Sequence, residues 1–445
     1  MTPPVPVPAA APAPAEGRRV VIVGGGMAGT RLARQLATAG ARVTLVGEEP
    51  HAAYNRVLLA EVLAGHYAPG VIGLPGLPAA PAVRTLRGVR AVRLDRAARR
   101  VWCDDGQELP YDVLVLATGS WPVLPPLRGL FDADGDHADG AGVALPDGVH
   151  AFRTMDDCLA LARAATPGAP AVVVGGGLLG VSAARALARR GARVVLAQQG
   201  ERLMERHLDP AAARLLRAHL EDLGVEVHTE CRVRGVRSAP DPAARAATRT
   251  VTGVELADGY VLDARAVVLA CGVRPRVGLA RAAGLDVAEG IVVDDELRTA
   301  DPAVHAIGDC AQHAGIVYGL ATPALEQADL LARVLTAPRS QDGPAPRYAG
   351  TRALTRLTLA AADRPLDLAA FGETEPAPGD DVVHLADATR RVYRKVVVRA
   401  DRLVGGILLG DLGAVGSLAR AWEGDEPLPA GAPLHHLLTD HFGGS

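Results

Sequence analysis

The chain has 445 residues, of which 49% are hydrophobic, so it is long enough for two or three domains with sizeable cores. A formal net charge of −3 argues against nucleic acid as the main partner. No apolar run approaches the length that spans a bilayer, and the Pro/Ala-rich start at 1–16 lacks the regions of a signal peptide. We therefore expect a cytoplasmic protein that binds neither nucleic acid nor membrane, with a disordered tail over 1–16.

The stretch RVVIVGGGMAGTRLAR at 19–34 predicts a strand, a glycine-rich turn and a helix. Its apolar run at 20–23 suits a parallel strand that is buried on both faces. Gly24, Gly26 and Gly29 follow with G-x-G-x-x-G spacing. In a dinucleotide-binding turn of this kind, a diphosphate lies on the N-terminus of the helix.

The whole turn is assigned to one cofactor, including Met27 and Ala28 between its glycines. A second strand is predicted at 42–46, and Glu48 follows it about 20 residues after the glycines. An acid at this position binds a ribose hydroxyl in dinucleotide-binding folds. Arg56, in a loop that enters a short helix, is assigned to the same cofactor, with an ordinary surface arginine as the alternative.

The same unit recurs at 171–190 as AVVVGGGLLGVSAARALARR, followed by a second strand at 193–197. The residues assigned here to a second nucleotide are Gly175, Gly177, Leu178, Leu179 and Gly180. Two such units in one chain predict two bound dinucleotides. The binding of two redox cofactors by one chain indicates hydride transfer between them.

Two further buried strands are predicted at 111–119 and 266–272, and both end in an Ala-x-Gly tripeptide. Each strand closes one dinucleotide unit, so the ends of both strands are assigned to the ligands. The assigned residues are Ala117, Thr118, Gly119 and Gly272.

The stretch DPAVHAIGDCA at 301–311 predicts a short strand that delivers Gly308 and Asp309 to the end of a parallel sheet. Ligands bind at that edge in open α/β folds, and the Asp309 carboxylate can accept a hydroxyl, although a simple helix N-cap is the alternative. Downstream, Thr322 and Pro323 are predicted as the N-cap and first residue of a helix whose positive end suits an electron-rich ligand.

The region after residue 338 predicts a small α+β domain without catalytic residues. Its predicted strands and helix lie at 351–360, 366–371, 391–399, 402–409 and 415–422. We expect an interface role, and a homodimer through this domain is left open.

The five cysteines form no C-x-x-C or C-x-x-x-x-C motif, so no redox disulfide, zinc site or iron–sulfur site is predicted. We expect all five to be buried free thiols. They are Cys103, Cys158, Cys231, Cys271 and Cys310.

Together these motifs resemble the two-dinucleotide flavoproteins of the pyridine nucleotide–disulfide reductase superfamily, over about 18–337. The resemblance implies FAD on the first glycine turn, with its ribityl chain on Asp309, and NADH or NADPH on the second turn. It also implies an α/β fold with two Rossmann-like domains, the NAD domain inserted in the FAD domain, besides the small C-terminal α+β domain. The predicted boundaries are a tail at 1–16, an FAD domain at 17–127 and 273–337, an NAD(P) domain at 128–272 and a C-terminal domain at 338–445.

A narrower resemblance is carried by EEPHAAYNRVLL at 48–59, FRTMDDC at 152–158 and GVRPR at 272–276. These motifs are similar to the flavin portion of assimilatory NAD(P)H–nitrite reductase large subunits. The cysteine-rich iron–sulfur and sirohaem modules of those subunits are missing from this sequence. The resemblance therefore implies that electrons pass from NAD(P)H through FAD to a separate nitrite or nitrate reductase component.

Two alternatives stay open. One is a reductase for a ferredoxin or rubredoxin, and the other, of a different class, is a nucleotide-binding sensor without turnover. No residue is predicted to be catalytic, because the cofactors supply the chemistry and the protein supplies alignment.

The sequence departs from the family pattern at two positions near the second nucleotide. Ser182 stands where many relatives have a glutamate near the nicotinamide. Gln198, followed by Gln199, stands where an NAD-specific site has an acid. Neutral amides do not repel a 2′-phosphate, so we expect NADH to work and NADPH to be tolerated. Arg202 either attracts that phosphate or is solvated.

Overall fold

The computed structural model describes residues 17–131, 145–240, 249–337, 346–352, 354–360, 365–425, 427–429 and 433–438. The tail predicted at 1–16 lies outside these ranges. The α-helices are α1 (Met27–Thr38), α2 (Leu59–Leu63), α3 (Met155–Ala164), α4 (Leu178–Arg189), α5 (Pro210–Asp222), α6 (Gly278–Ala282), α7 (Ala321–Thr336) and α8 (Val415–Gly424).

The strands follow one another in short segments along the chain. They are β1 (Arg19–Val23), β2 (Arg42–Gly47), β3 (Val83–Arg87), β4 (Ala91–Asp95), β5 (Arg100–Cys103), β6 (Glu108–Pro110), β7 (Val113–Leu116), β8 (Ser120–Pro122), β9 (Val149–His150), β10 (Pro170–Val174), β11 (Arg193–Ala197), β12 (Val225–His228), β13 (Val233–Pro240), β14 (Arg249–Leu256), β15 (Val261–Asp263), β16 (Ala266–Leu269), β17 (Val273–Pro275), β18 (Ile291–Val293), β19 (Val304–Ala306), β20 (Ala311–His313), β21 (Thr355–Leu359), β22 (Leu366–Gly372), β23 (Asp381–Asp387), β24 (Val392–Arg399) and β25 (Arg402–Leu409).

The chain divides into two compact units. The first comprises Met1–Tyr54, Leu74–Ser120 and Pro275–Thr351, and the second comprises Asn55–Gly73, Trp121–Arg274 and Arg352–Ser445. This division places α2 and the C-terminal sheet with the second dinucleotide unit. The domain boundaries given above follow the family resemblance instead, and they stay a prediction.

A five-stranded parallel sheet forms the centre of the first unit, in the order β19-β7-β1-β2-β3. Val20 pairs with Val43 on one side and with Val113 on the other. The side chains of 20–23 and 113–116 are buried, as expected of a parallel sheet that is covered on both faces. Because all five strands run in one direction, their carboxyl ends share one edge of the sheet.

Helices α1 and α7 pack against each other in this unit. Leu32 and Leu36 of α1 are fully buried, and the guanidinium of Arg31 forms two hydrogen bonds with the carboxylate of Asp329, at 2.5 and 2.7 Å. Apolar contacts and an ion pair thus hold the two helices together.

Helix α7 begins two residues earlier than the sequence predicted. Leu320 is its N-cap, so Thr322 lies inside the helix and is not the cap. Pro323 therefore falls in the first turn rather than at the first helical position. A proline is tolerated there because the first four amides of a helix have no partner within it.

The second unit contains another five-stranded parallel sheet, in the order β12-β11-β10-β16-β9. Val172 at its centre pairs with Val195 on one side and with Val267 on the other. An antiparallel sheet, β13-β14-β15, belongs to the same unit. The two parallel sheets share one local plan, as the repeated motif predicts.

The C-terminal part of the second unit is an antiparallel sheet, β21-β22-β25-β24-β23, packed against α8. The predicted α/β class, with two dinucleotide-binding sheets and a C-terminal α+β domain, is therefore confirmed. Strand β23 was not predicted. It lies at an edge of the sheet and its side chains are largely exposed, so it has no clear alternation of apolar and polar residues.

Candidate cofactor-binding sites

The first glycine turn joins β1 to α1 in the first unit. Gly24 has a φ of +125°, and a Cβ on it would overlap the carbonyl oxygen of Ala117 at the end of β7. Its amide donates to the carbonyl of Val46 at the end of β2, at 2.8 Å. Only glycine fits this position, because the turn passes directly over the ends of both neighbouring strands.

The other two glycines of the turn have different surroundings. A Cβ on Gly29 would overlap the carbonyl oxygen of Gly24, so α1 packs closely on the turn. A Cβ on Gly26 would meet nothing within 4 Å. Gly26 is the N-cap of α1, and no side chain caps this helix, which starts at Met27 and Ala28. The helix N-terminus therefore offers amides, and the space beside Gly26 admits a diphosphate.

The second glycine turn, between β10 and α4, repeats each of these contacts. A Cβ on Gly175 would overlap the carbonyl oxygen of Ala270, and one on Gly180 would overlap that of Gly175. A Cβ on Gly177 would again meet nothing within 4 Å, and no side chain caps α4. Leu178 and Leu179 lie in the first turn of α4, and their assignment to the second nucleotide stays a prediction.

The segment after β7 is tied to two other parts of the first unit. The Thr118 hydroxyl donates to the carbonyl of Arg276 at 2.8 Å, and the Arg276 amide donates to the carbonyl of Gly119 at 2.9 Å. The hydroxyl of Ser120 donates to the carboxylate of Asp309 at 2.9 Å. The structure thus brings the predicted residues 117–119 and Asp309 together in one unit.

Gly308 and Asp309 lie in a single 3₁₀ turn that follows β19. The Gly308 amide donates to the side-chain carbonyl of Gln327, a nearly fully buried residue of α7, at 2.7 Å. Sequence reasoning missed Gln327. The only available signal was a polar residue among the apolar positions of α7.

The acid predicted to bind a ribose already has a partner. The Glu48 carboxylate, after β2, accepts a hydrogen bond from the guanidinium of Arg276 at 2.5 Å. Both side chains are partly exposed, so the pair is open to further hydrogen bonds. A carboxylate held in this way still has acceptor capacity for ribose hydroxyls.

Gln198 is fixed against the second glycine turn. Its side-chain carbonyl accepts the Gly176 amide at 2.7 Å, and its own amide nitrogen must therefore point away from that backbone. Gly272, whose φ is +98°, lies in the segment between β16 and β17, and a Cβ on it would meet nothing within 4 Å. The second site thus offers a donor where an NAD-specific site offers a carboxylate.

Of three other predicted residues, Arg56 and Ser182 each donate a hydrogen bond to a backbone carbonyl, and Pro323 is buried. Arg56 belongs to the second unit, where its guanidinium donates to the carbonyl of Arg153, so its assignment to the first cofactor stays a prediction. The Ser182 hydroxyl donates to the carbonyl of Leu178 at 2.8 Å, within its own helix. Pro323 is buried in the first turn of α7.

All five cysteines are free thiols, but the prediction that all five are buried holds only for Cys103, Cys158 and Cys310, because Cys231 and Cys271 are half-buried. Burial raises the pKa of Cys103, Cys158 and Cys271 to about 11, helped at Cys103 and Cys158 by neighbouring aspartates. Burial also raises the pKa of Cys231 and Cys310. Such thiols stay protonated near neutral pH and are poor nucleophiles.

The two turns fit the cofactors that the motifs imply. Each combines a glycine that must approach a strand closely with an uncapped helix N-terminus and open space beside the middle glycine. Among the residues that the structure describes, no group of three or more His, Cys, Asp or Glu side chains is placed to hold a metal ion. In the same ranges, no helix is long and apolar enough to cross a membrane.

Comparison with known proteins decides the family. The family model for pyridine nucleotide-disulphide oxidoreductases matches residues 18–328. The chain belongs to this family. A second model, for the C-terminal domain of rubredoxin NAD⁺ reductase, matches residues 364–423, within the C-terminal sheet and α8.

Individual members of the family are similar over most of the chain. The NAD(P)H nitrite reductase of Bacillus subtilis is 32% identical over 399 residues, which are 88% of this chain and 46% of that protein. A probable ferredoxin reductase of Castellaniella defragrans is 35% identical over 297 residues, 65% of this chain and 67% of that protein. The crystal structure of the ferredoxin reductase for the CYP199A2 system from Rhodopseudomonas palustris has a TM-score of 0.75 at 27% identity, over 93% of this chain and 96% of that one.

This membership confirms the resemblance drawn from the motifs, and it implies FAD and NAD(P)H as the cofactors. The chain spans about half the length of the nitrite reductase that it matches, 46%.

Proposed function

We propose that the chain is an FAD-containing NAD(P)H oxidoreductase that passes electrons to a separate acceptor protein. The observation that carries this proposal is the duplicated glycine turn. Gly26 and Gly177 occupy equivalent places, and each opens onto free space at the N-terminus of an uncapped helix. A protein that binds one nucleotide needs one such turn, whereas a reductase that joins two cofactors needs two.

The residues of the first unit have distinct roles toward FAD in this proposal. The amides at the start of α1 bind the diphosphate, and Glu48, oriented by Arg276, binds the adenosine ribose. Asp309, oriented by the Ser120 hydroxyl, accepts a hydrogen bond from the ribityl chain. The N-terminus of α7, with Pro323 in its first turn, places a positive helix end in the same unit.

The residues of the second unit bind the nicotinamide nucleotide. The amides at the start of α4 bind its diphosphate, and the Gln198 amide nitrogen meets the adenosine ribose. FAD, when bound, would accept a hydride and release electrons one at a time. The described side chains are therefore needed for binding and orientation rather than for acid–base chemistry.

The acceptor belongs to nitrite or nitrate assimilation in the leading version of this proposal, and the reaction takes place in the cytoplasm. The similarity to NAD(P)H nitrite reductase over 88% of this chain supports that version. A ferredoxin or rubredoxin is the second candidate, favoured by the similarity to ferredoxin reductases and by the C-terminal match. A homodimer through the C-terminal domain stays a prediction.

An anaerobic titration tests the proposal. The purified protein is expected to carry an FAD spectrum that NADH or NADPH bleaches. Addition of a ferredoxin, a rubredoxin or the catalytic component of a nitrite or nitrate reductase should then restore the oxidised spectrum for the true acceptor. A protein that binds FAD and nucleotide but is not bleached would be a sensor instead.

A further inference from the structure

A loop of the second unit, residues 199–209 between β11 and α5, lies against the second glycine turn. The Met204 amide donates to the carbonyl of Gly176 at 2.9 Å, while the Gly176 amide donates to Gln198 at 2.7 Å. The loop therefore folds back over the turn where the nicotinamide nucleotide is proposed to bind. Arg202, the basic residue in question above, belongs to this loop.

The guanidinium of Arg202 has two partners. Its Nε donates to the carbonyl of Leu208 at 3.2 Å, within the loop itself. Its Nη2 lies 3.2 Å from the carboxylate of Glu375, in the segment between β22 and β23 of the C-terminal sheet. The Arg202 side chain is 27% exposed and that of Glu375 is 59% exposed, so the ion pair is accessible to solvent. Arg202 is thus not a purely solvated side chain, and a ligand would have to compete with Glu375 for its guanidinium.

The far end of the same loop is fixed more firmly. Asp209 accepts hydrogen bonds from Tyr393 at 2.6 Å and from Lys395 at 2.9 Å, and all three residues are buried. Burial alone would raise the pKa of Asp209, but the Ala212 amide, Tyr393 and Lys395 outweigh it and hold that pKa below its usual value. This charged anchor keeps the C-terminal sheet against the loop and so keeps Glu375 within reach of Arg202.

We propose that Glu375 is a specificity-determining residue of the nicotinamide-nucleotide site, which acts by occupying the guanidinium of Arg202 that would otherwise bind a 2′-phosphate. The inference rests on the proposed function, because it requires that the second turn binds NAD(P)H. An arginine near the end of the second strand is the group that accommodates a 2′-phosphate in dinucleotide-binding folds. Glu375 competes with that phosphate for the same guanidinium, whereas a 2′-hydroxyl carries no charge to compete.

The test is Glu375→Gln, which removes the charge and keeps the size of the side chain. Calorimetric titration of the FAD-loaded protein gives the Kd of NADP⁺ and of NAD⁺, and the rate of anaerobic flavin reduction at varied NADPH and NADH concentrations gives the apparent Kd of each reduced nucleotide. We expect NADP⁺ to bind about fivefold more tightly, the scale of one exposed ion pair, with NAD⁺ unchanged. Adding Arg202→Gln to Glu375→Gln should remove this gain.

Glu373→Gln is the matched control, because Glu373 lies in the same segment but pairs with Arg399. It should leave both nucleotides unaffected. An unchanged NADP⁺ affinity in Glu375→Gln, an equal change for both nucleotides, or a gain that survives Arg202→Gln would overturn the inference while the proposed function stands. A wild-type protein that binds neither nucleotide would overturn the proposed function and the inference with it.

Discussion

The carboxylate of Glu48 and the guanidinium of Arg276 lie 2.5 Å apart, although 227 residues separate them in the chain. The backbone of Arg276 also donates to the carbonyl of Gly119 and accepts from the Thr118 hydroxyl, both in the segment after β7. One arginine thus connects the ends of β2 and β7, which border the first glycine turn. The acid that is proposed to bind a ribose is therefore oriented by an arginine that is distant in sequence but belongs to the same unit.

Glu48→Gln should weaken FAD binding by about tenfold, the scale of one charge-assisted hydrogen bond at a partly exposed site. Fluorescence titration of the apoprotein with FAD measures this Kd. Glu108→Gln is the control, since Glu108 pairs with Arg100 in the same unit away from the turn. Equal FAD affinities in wild type and Glu48→Gln would remove Glu48 from the site.

Gln198→Glu should shift selectivity toward NADH. One carboxylate oxygen can still accept the Gly176 amide, while the other accepts a ribose hydroxyl and repels a 2′-phosphate. We expect the KM for NADPH to rise by about tenfold in steady-state kinetics, with little change for NADH. Gln199→Glu places the same charge on the adjacent exposed residue and should have a smaller effect. A wild type that already excludes NADPH would contradict the premise.

Local patterns predicted the parts of the fold that depend on neighbours in sequence. The buried runs of β1 and β10 and the glycine spacings lie within short windows, and the structure places them as expected. The two Ala-x-Gly tripeptides were predicted as strand ends, but β7 ends at Leu116 and β16 ends at Leu269, so each tripeptide lies in the segment that follows its strand. The partners of Glu48, Gly308 and Arg202 could not be predicted in this way. Arg276, Gln327 and Glu375 all come from other segments of the chain, and the periodicity of a sequence does not show which side chain from another segment contacts a given carboxylate, amide or guanidinium.

The thiols should play no part in electron transfer. Cys158 and Cys310 are fully buried, and burial raises the pKa of every cysteine. A thiol reagent at pH 7.5 should therefore react only slowly with the native protein. In denaturant, the same reagent should modify all five cysteines. FAD-normalised reduction of a one-electron acceptor should survive this treatment of the native protein. A fast-reacting thiol whose alkylation abolishes acceptor reduction, but not flavin bleaching, would contradict direct transfer.

His305 in β19 should make the first unit sensitive to acid. Burial, helped by Arg298, lowers its pKa to about 4, against about 6.5 in an unfolded chain. The folded state binds fewer protons between these values, so this contribution to stability is complete above pH 6.5 and is lost as the pH falls toward 4. It amounts to about 3 kcal/mol.

Urea unfolding at pH 7, 5.5 and 4.5 measures this loss. His305→Gln should flatten the pH dependence of the free energy of unfolding, whereas His384→Gln, at an exposed position of β23, should leave it unchanged. Parallel pH profiles for wild type and His305→Gln would show that His305 is not the group responsible.

The assignment of FAD to the first glycine turn and of NAD(P)H to the second predicts different outcomes for two matched substitutions. Gly26 and Gly177 both have an extended backbone that valine can adopt, and a side chain at either would enter open space rather than the protein. Both Gly26→Val and Gly177→Val should therefore fold. An anaerobic NADH titration, followed by flavin absorbance, compares them with wild type. We expect Gly26→Val to be colourless, and Gly177→Val to be yellow but bleached only at far higher NADH concentrations. A full flavin spectrum in Gly26→Val, or normal bleaching in Gly177→Val, would contradict the assignment of FAD to the first turn and NAD(P)H to the second.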